Sequence, residues 1–331
     1  MPDGHSSAAP TPFASPAWLR GGHAQTIWPQ FVRRPAVQYR REHIDTADGD
    51  FWEFDWLPDG PATKPGAPLV ALFHGLEGSA QSHYALLLMT LAAELGWRGV
   101  VPHFRGCGGT PNRRPRAYHS GDHEEVGAML RTLRERVGPD TPIYAVGVSL
   151  GGSALLNWIG RAGGDAQRML RAAAIVSAPL DLMAAGLAID RGFNLVYAHH
   201  FLRTLKPKAL AMAARFPGTL DVAKLRAVRT MWAFDDVVTA PLHGFTGTRD
   251  YWTRASSKPW LREVALPTLV LNARNDPFVP AASLPTAADV TRDVTLLQPA
   301  HGGHVGFLTG PAPGRLDWMP RRVLHWFVHG T

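Results

Sequence analysis

The chain has 331 residues, 45% of them hydrophobic and 18% charged, which is enough apolar content to bury a large core and excludes a disordered or fibrous chain. A single cysteine, Cys107, excludes an intrachain disulfide framework and a thiolate metal cluster, so a reducing, cytoplasmic setting is expected. The formal charge of +7 raises nucleic acid as a partner. However, the arginines fall in short groups (Arg113, Arg114 and Arg116; Arg321 and Arg322) with no long basic run and no RRM, zinc-finger or helix-turn-helix pattern, which favours solvated faces over a nucleic-acid-binding module.

Residues 1–15 are rich in Pro, Ser and Ala and read as a disordered tail, with neither the basic nor the apolar region of a secretory signal. Residues 16–31 hold too many aromatics for a solvated tail and are expected to pack on the main body. Residues 37–45 and 50–56 read as strands around the turn Ala47-Asp48-Gly49, an antiparallel hairpin at a sheet edge. The apolar run 68–73 predicts a buried parallel strand. It leads into H-G-L-E-G-S, a loop whose Leu76 N–H can turn toward a nucleophile. Tyr84, Leu87, Leu88, Leu91 and Leu95 recur at helical spacing, with Ser79 or Ser82 as cap and Gly96 as stop. Strand 99–104 enters R-G-C-G-G-T-P-N, where Cys107 has no basic partner in view and reads as a bystander. Asp122 and Glu125 form a D-x-x-E capping pattern before the helical stripe Val126, Met129, Leu130, Leu133 and Val137.

Residues 143–158, I-Y-A-V-G-V-S-L-G-G-S-A-L-L-N-W, carry an apolar run into G-x-S-x-G and on into a helix of small residues. A nucleophile elbow needs this order: Ser149 sits on a strained strand-to-helix turn, so Gly147 and Gly151 must lack side chains. The turn leaves the Leu150 N–H free at the helix start, where a developing oxyanion can be held with Leu76 as the second donor. The uncharged run 141–160 is not a membrane span, because Pro142, Asn157, serines and glycines interrupt the ~20 apolar residues such a helix wants.

Strands alternating with helices imply an α/β fold with a mostly parallel twisted sheet flanked by helices and joined by right-handed crossovers. After the strand 172–177, residues 178–266 far exceed the ~30 residues of a βαβ unit. Their Met and aromatic residues, at helical intervals among Arg and Lys, predict an inserted helical cap, which leaves 16–177 and 267–331 as the core. Asp276 follows the strand 267–272, and His301 and His304 follow the strand 294–298. Ser, then acid, then His is the order of α/β-hydrolases: the serine attacks, a neutral imidazole takes its proton, and the carboxylate fixes the tautomer. A helix bearing Leu316, Met319, Val323 and Phe327 should close the chain on the sheet.

The motifs P-A-W-L-R-G-G-H-A-Q-T, H-G-L-E-G-S, F-R-G-C-G-G-T-P-N, G-V-S-L-G-G, L-N-A-R-N-D-P-F and G-G-H-V-G-F together resemble the YheT-like branch of the α/β-hydrolases, related to the eukaryotic ABHD lipases and esterases. The resemblance runs from about Pro16 to the end of the chain. It implies a soluble bacterial carboxylester hydrolase with Ser149 as nucleophile, Asp276 as acid and His304 as base, His301 being a neighbour. The eukaryotic relatives' N-terminal membrane anchor has no counterpart here, so no integral membrane segment is expected. Asp122 departs from the hydroxyl residue the family often has, at a helix start away from the triad. The expectation is hydrolysis of a short- to medium-chain ester with an apolar acyl part through an acyl-enzyme, without metal or cofactor. Acyl transfer to an alcohol is the alternative, because only the second nucleophile differs.

Overall fold

The computed structural model describes residues 12–330. Eight strands form one sheet: β1 (Arg40–Asp45), β2 (Phe51–Trp56), β3 (Leu69–Phe73), β4 (Arg98–Pro102), β5 (Ile143–Val148), β6 (Ala172–Val176), β7 (Thr268–Leu271) and β8 (Val294–Leu297). Their spatial order is β1-β2-β4-β3-β5-β6-β7-β8. Strand β2 pairs antiparallel with β1 and β4, and every other pair is parallel. The central strands LVALF, IYAVGV and AAAIV are buried at every position, as expected of parallel strands covered on both faces.

Alternate residues of these strands feed two cores. On one face Leu69, Ala71 and Ala145 pack against Met129 and Leu130 of the helix His123–Val137 and Leu155 of the helix Leu150–Ala162. On the other face Val70, Leu72 and Val146 meet Leu88 of the helix His83–Glu94 and Val323 and Phe327 of the helix Trp318–His329. The period of two in the strands thus assigns each side chain to one helical layer.

Between β6 and β7 the chain forms helices, the longest being Leu195–Arg215. Leu202, Leu205, Leu225, Met231, Phe234 and Val238 give this segment a small core of its own. Leu261 and Val264, at its end, belong instead to the main core beside Ile159.

Two local features depart from the sequence reading. Of the expected disordered stretch 1–15, residues 1–11 lie outside the described residues, whereas Phe13 packs edge-on against Phe307 and Trp318 and the Ser15 hydroxyl donates to Leu19 O at 3.1 Å. Residues 16–31 dock on the main body as expected: Leu19 and Gln25 are buried, and Trp18 Nε1 and Trp28 Nε1 donate to Gly310 O at 3.1 Å and Pro313 O at 2.8 Å, while Phe31 is 74% exposed. Finally, the D-x-x-E pattern does not cap its helix, for Asp122 makes no side-chain cap bond. Arg116 Nη2 donates to Asp122 Oδ1 at 2.6 Å, and Glu125 Oε1 takes Arg105 Nε at 2.7 Å and Trp52 Nε1 at 2.6 Å. Both carboxylates are buried, and a buried charge requires cationic or strong donor partners ahead of a helix-end amide.

Candidate active site

Ser149 ends β5 with φ 52° and ψ −122°, a conformation that costs a non-glycine residue about 1–3 kcal/mol and persists only when its surroundings hold it. Its N–H donates to Val176 O of the next strand at 2.8 Å. A side chain at Gly147 would collide with Gly152, and one at Gly151 with the carbonyls of Phe73 and His74, so the sharp turn requires glycine at both positions. Asp276 and His304 lie in the loops after β7 and β8, which run parallel to β5 and deliver all three residues to one end of the sheet.

These residues form one hydrogen-bonded line. Ser149 Oγ is 2.9 Å from His304 Nε2, and His304 Nδ1 is 2.9 Å from Asp276 Oδ2. The other oxygen of Asp276 accepts the N–H groups of Phe278 at 2.8 Å and Val279 at 3.3 Å. A neutral imidazole with its proton on Nδ1 donates to Asp276 and leaves Nε2 to accept the serine hydroxyl, so one tautomer satisfies both contacts. His301 is exposed and stands apart from the line, its Nδ1 3.3 Å from Asn275 Nδ2.

Leu76 and Leu150 border the same cavity as Ser149 and His304. In the H-G-L-E-G loop the Gly75 N–H donates to Tyr84 Oη at 2.9 Å, the Glu77 N–H to Tyr118 Oη at 2.8 Å and the Gly78 N–H to Gly75 O at 2.9 Å. The Leu76 N–H has no such partner among the described residues, and neither does the Leu150 N–H at the start of its helix. His74 locks the loop from below. Its Nε2 accepts the Phe104 N–H at 3.2 Å, so the ring proton is on Nδ1 and donates to Gly75 O at 2.8 Å. Burial pushes its pKa down to about 3, keeping it neutral. Burial pushes the Cys107 thiol up to about 12, so it stays protonated, and it lies in hydrogen-bonding contact with Tyr118.

Sequence reasoning missed the polar anchors of the histidine loop. Thr26 Oγ1 accepts the His304 N–H at 2.9 Å, Gln25 Oε1 the Gly302 N–H at 2.8 Å and Asn275 Oδ1 the Gly303 N–H at 3.0 Å. The available signal was the polar pair Gln25-Thr26 inside an aromatic stretch.

The cavity measures about 400 Å³. Its floor is the Ser149 turn, and its walls include Leu182, Phe201, Leu205, Met212 and Phe234 from the segment between β6 and β7. One carboxyl lies among them: Asp235, which opens a π-helical turn, accepts Thr239 Oγ1 at 2.6 Å and Trp252 Nε1 at 2.7 Å. Burial pushes its pKa up to about 6. Among the described residues no group of three or more His, Cys, Asp or Glu is arranged to hold a metal ion, and no helix is long and apolar enough to cross a membrane.

A sheet of this order with a strand–elbow–helix turn at its centre is the architecture of an α/β hydrolase. A family model described as the alpha/beta hydrolase fold matches residues 68–311. The YheT protein of Escherichia coli strain K12, whose name describes it provisionally as an esterase, is 39% identical over 310 residues, covering 92% of this chain and 90% of the relative. Phospholipase ABHD3 of Mus musculus is 32% identical over 318 residues, covering 94% and 76%. The chain belongs to the α/β-hydrolase family, in its YheT-like branch. Solved structures share the fold at low identity: a serine hydrolase of Cycloclasticus zankles (TM-score 0.55, 17% identity, 88% of this chain and 98% of the other) and an esterase of Pyrococcus furiosus (0.53, 15%, 90% and 98%).

Proposed function

We propose that this protein is a serine carboxylester hydrolase that acts through an acyl-enzyme on short- to medium-chain esters. The observation that carries the reading is the Ser149–His304–Asp276 line, with both contacts at 2.9 Å. In this reading Ser149 attacks the ester carbonyl while His304 takes its proton. Asp276 holds the imidazole in the required tautomer and stabilises the imidazolium. The Leu76 and Leu150 N–H groups receive the oxyanion, a contact that strengthens as charge develops and therefore lowers the barrier. His304 then protonates the departing alcohol, and a water activated by the same ring releases the acid.

The helices between β6 and β7 act in this reading as a cap whose apolar walls take the acyl chain. The names of the relatives, an esterase and a phospholipase, agree with an ester substrate. The decisive experiment is hydrolysis of p-nitrophenyl esters of increasing chain length by the purified protein beside Ser149→Ala. Activity that survives in Ser149→Ala removes the serine mechanism.

A further inference from the structure

We propose that Tyr118, Glu77 and Lys208 are positioning residues for the Leu76 N–H, so that a helix of the inserted segment holds one wall of the oxyanion site; this rests on the hydrolase reading above. The Leu76 N–H is the one amide of residues 75–78 that has no hydrogen-bond partner among the described residues. Its direction depends on the backbone on either side. The chain bends sharply just after it, because Glu77 has φ 55°, a left-handed conformation that a non-glycine residue keeps only under external restraint.

Glu77 is restrained at both its backbone and its carboxylate. Tyr118 Oη accepts the Glu77 N–H at 2.8 Å and donates to Glu77 Oε1 at 3.0 Å, so one hydroxyl meets both the backbone and the carboxylate of Glu77, with the Cys107 thiol also in hydrogen-bonding contact. The Tyr118 ring is itself fixed. It stacks on Phe104 with centroids 5.4 Å apart and planes 9° apart, and it stands edge-on to His74. Burial holds its phenol well above the usual value, so the proton it donates stays in place. Lys208 Nζ completes the clamp at 3.0 Å from Oε1 and 2.9 Å from Oε2 of Glu77.

Lys208 belongs to the helix Leu195–Arg215, 131 positions from Glu77 in the chain, and both residues line the cavity. The Lys208 side chain is 49% exposed, and an ion pair of that kind contributes little to folding. Its purpose in this arrangement is geometric: with the helix in place the Glu77 carboxylate has both of its partners, and with the helix displaced it keeps only Tyr118. The position of this helix and the aim of the oxyanion donor are thereby linked.

The test measures kcat and KM of the full-length protein on p-nitrophenyl butyrate for wild type, Ser149→Ala, Tyr118→Phe, Lys208→Met and Lys208→Arg. Affinities for a trifluoromethyl ketone, which adds to the serine as an oxyanion adduct, and for butyrate, which does not, are measured alongside. Removing an oxyanion donor outright costs about 10²–10³ in kcat, so a misdirected one should cost about 10- to 100-fold in Tyr118→Phe and about fivefold in Lys208→Met, with KM changed less than about twofold. The ketone should weaken by the same factor as kcat/KM while butyrate is unaffected, and Lys208→Arg should recover most of what Lys208→Met loses. Melting temperature monitors folding; if Tyr118→Phe does not fold, Lys208→Met carries the test alone. Unchanged kcat, a loss confined to KM, or undiminished ketone affinity overturns the inference. Should the wild type fail on all esters, or Ser149→Ala stay active, the hydrolase reading falls and takes this one with it. A serine-dependent wild type with unimpaired Tyr118→Phe and Lys208→Met overturns this inference alone.

Discussion

Thr26 accepts the backbone N–H of His304 on its hydroxyl at 2.9 Å, across 278 residues of chain. The ring that reaches Ser149 is therefore held by a segment that precedes the whole sheet. Thr26→Val keeps the side-chain volume and leaves that N–H unpaired, at a cost of about 1–3 kcal/mol. We expect a melting temperature several degrees lower and a kcat on a simple ester reduced about tenfold, KM changing little, with Thr26→Ser close to wild type. A Thr26→Val protein with undiminished kcat would show that the β8 loop holds His304 unaided.

A fluorophosphonate should label Ser149 and no other serine. Ser153 is on the same helix, but its hydroxyl donates to Pro179 O at 2.9 Å and it is fully buried; Ser120 is buried as well. Peptide mapping that located the adduct on either of these would remove Ser149 as the nucleophile.

Replacement of His304 by Ala should lower kcat by at least ~10⁴, as loss of a triad member does. His301→Ala should keep most of the activity, because its exposed ring meets Asn275 and lies outside the hydrogen-bonded line. Kinetics in the reverse order would transfer the role of base to His301.

Much of the sheet was legible because buried parallel strands are short apolar runs, and each of β3, β5, β6 and β7 stands as one between glycines, prolines and polar loops. Ser149 and Asp276 were legible for a related reason, since each follows soon after a strand's end, whereas local sequence left His301 and His304 both open and only the family resemblance pointed to His304. Contacts made by long-range polar pairing were not legible. The partner of the His304 N–H is Thr26, and that of the Glu77 N–H is Tyr118, 41 positions away; neither has any local periodicity. Asp122 illustrates the converse, since a local capping pattern lost to Arg116 once burial, which pushes its pKa up to about 7, made a charged partner worth more than an amide.

Asp235 gives a pH prediction. Its folded pKa of about 6, raised by burial, exceeds the ordinary aspartate value of about 3.9, so between these values the folded state binds the extra proton and stability falls as pH rises. Asp235→Asn removes this term. Its amide can still accept from Trp252 and donate to Thr239. Relative to wild type the variant should gain about 1.4 kcal/mol per pH unit between pH 4 and 6, about 3 kcal/mol in all, and nothing further above pH 7. Urea unfolding of both proteins at pH 4, 5, 6 and 8 tests this, and a pH-independent difference would contradict it.

The last prediction concerns the acyl chain. The cavity joins the Ser149 turn to apolar walls drawn from the segment between β6 and β7, with Leu205 and Ala209 of the long helix among them. Each methylene buried there is worth ~0.8 kcal/mol, about fourfold in kcat/KM, so the rate should climb with chain length until the roughly 400 Å³ are filled and then fall. Ala209→Phe places a ring in the cavity and should move that maximum to shorter chains, leaving acetate esters within a few-fold of wild type, because the reacting atoms are untouched. Leu205→Ala enlarges the same wall and should move the maximum the other way, at about 2–5 kcal/mol of stability for the lost packing. Opposite shifts from two positions on one helix cannot come from a general loss of fold, which would lower all chain lengths together. If both variants keep the wild-type maximum, the acyl chain leaves Ser149 by a different route and the inserted helices do not select it.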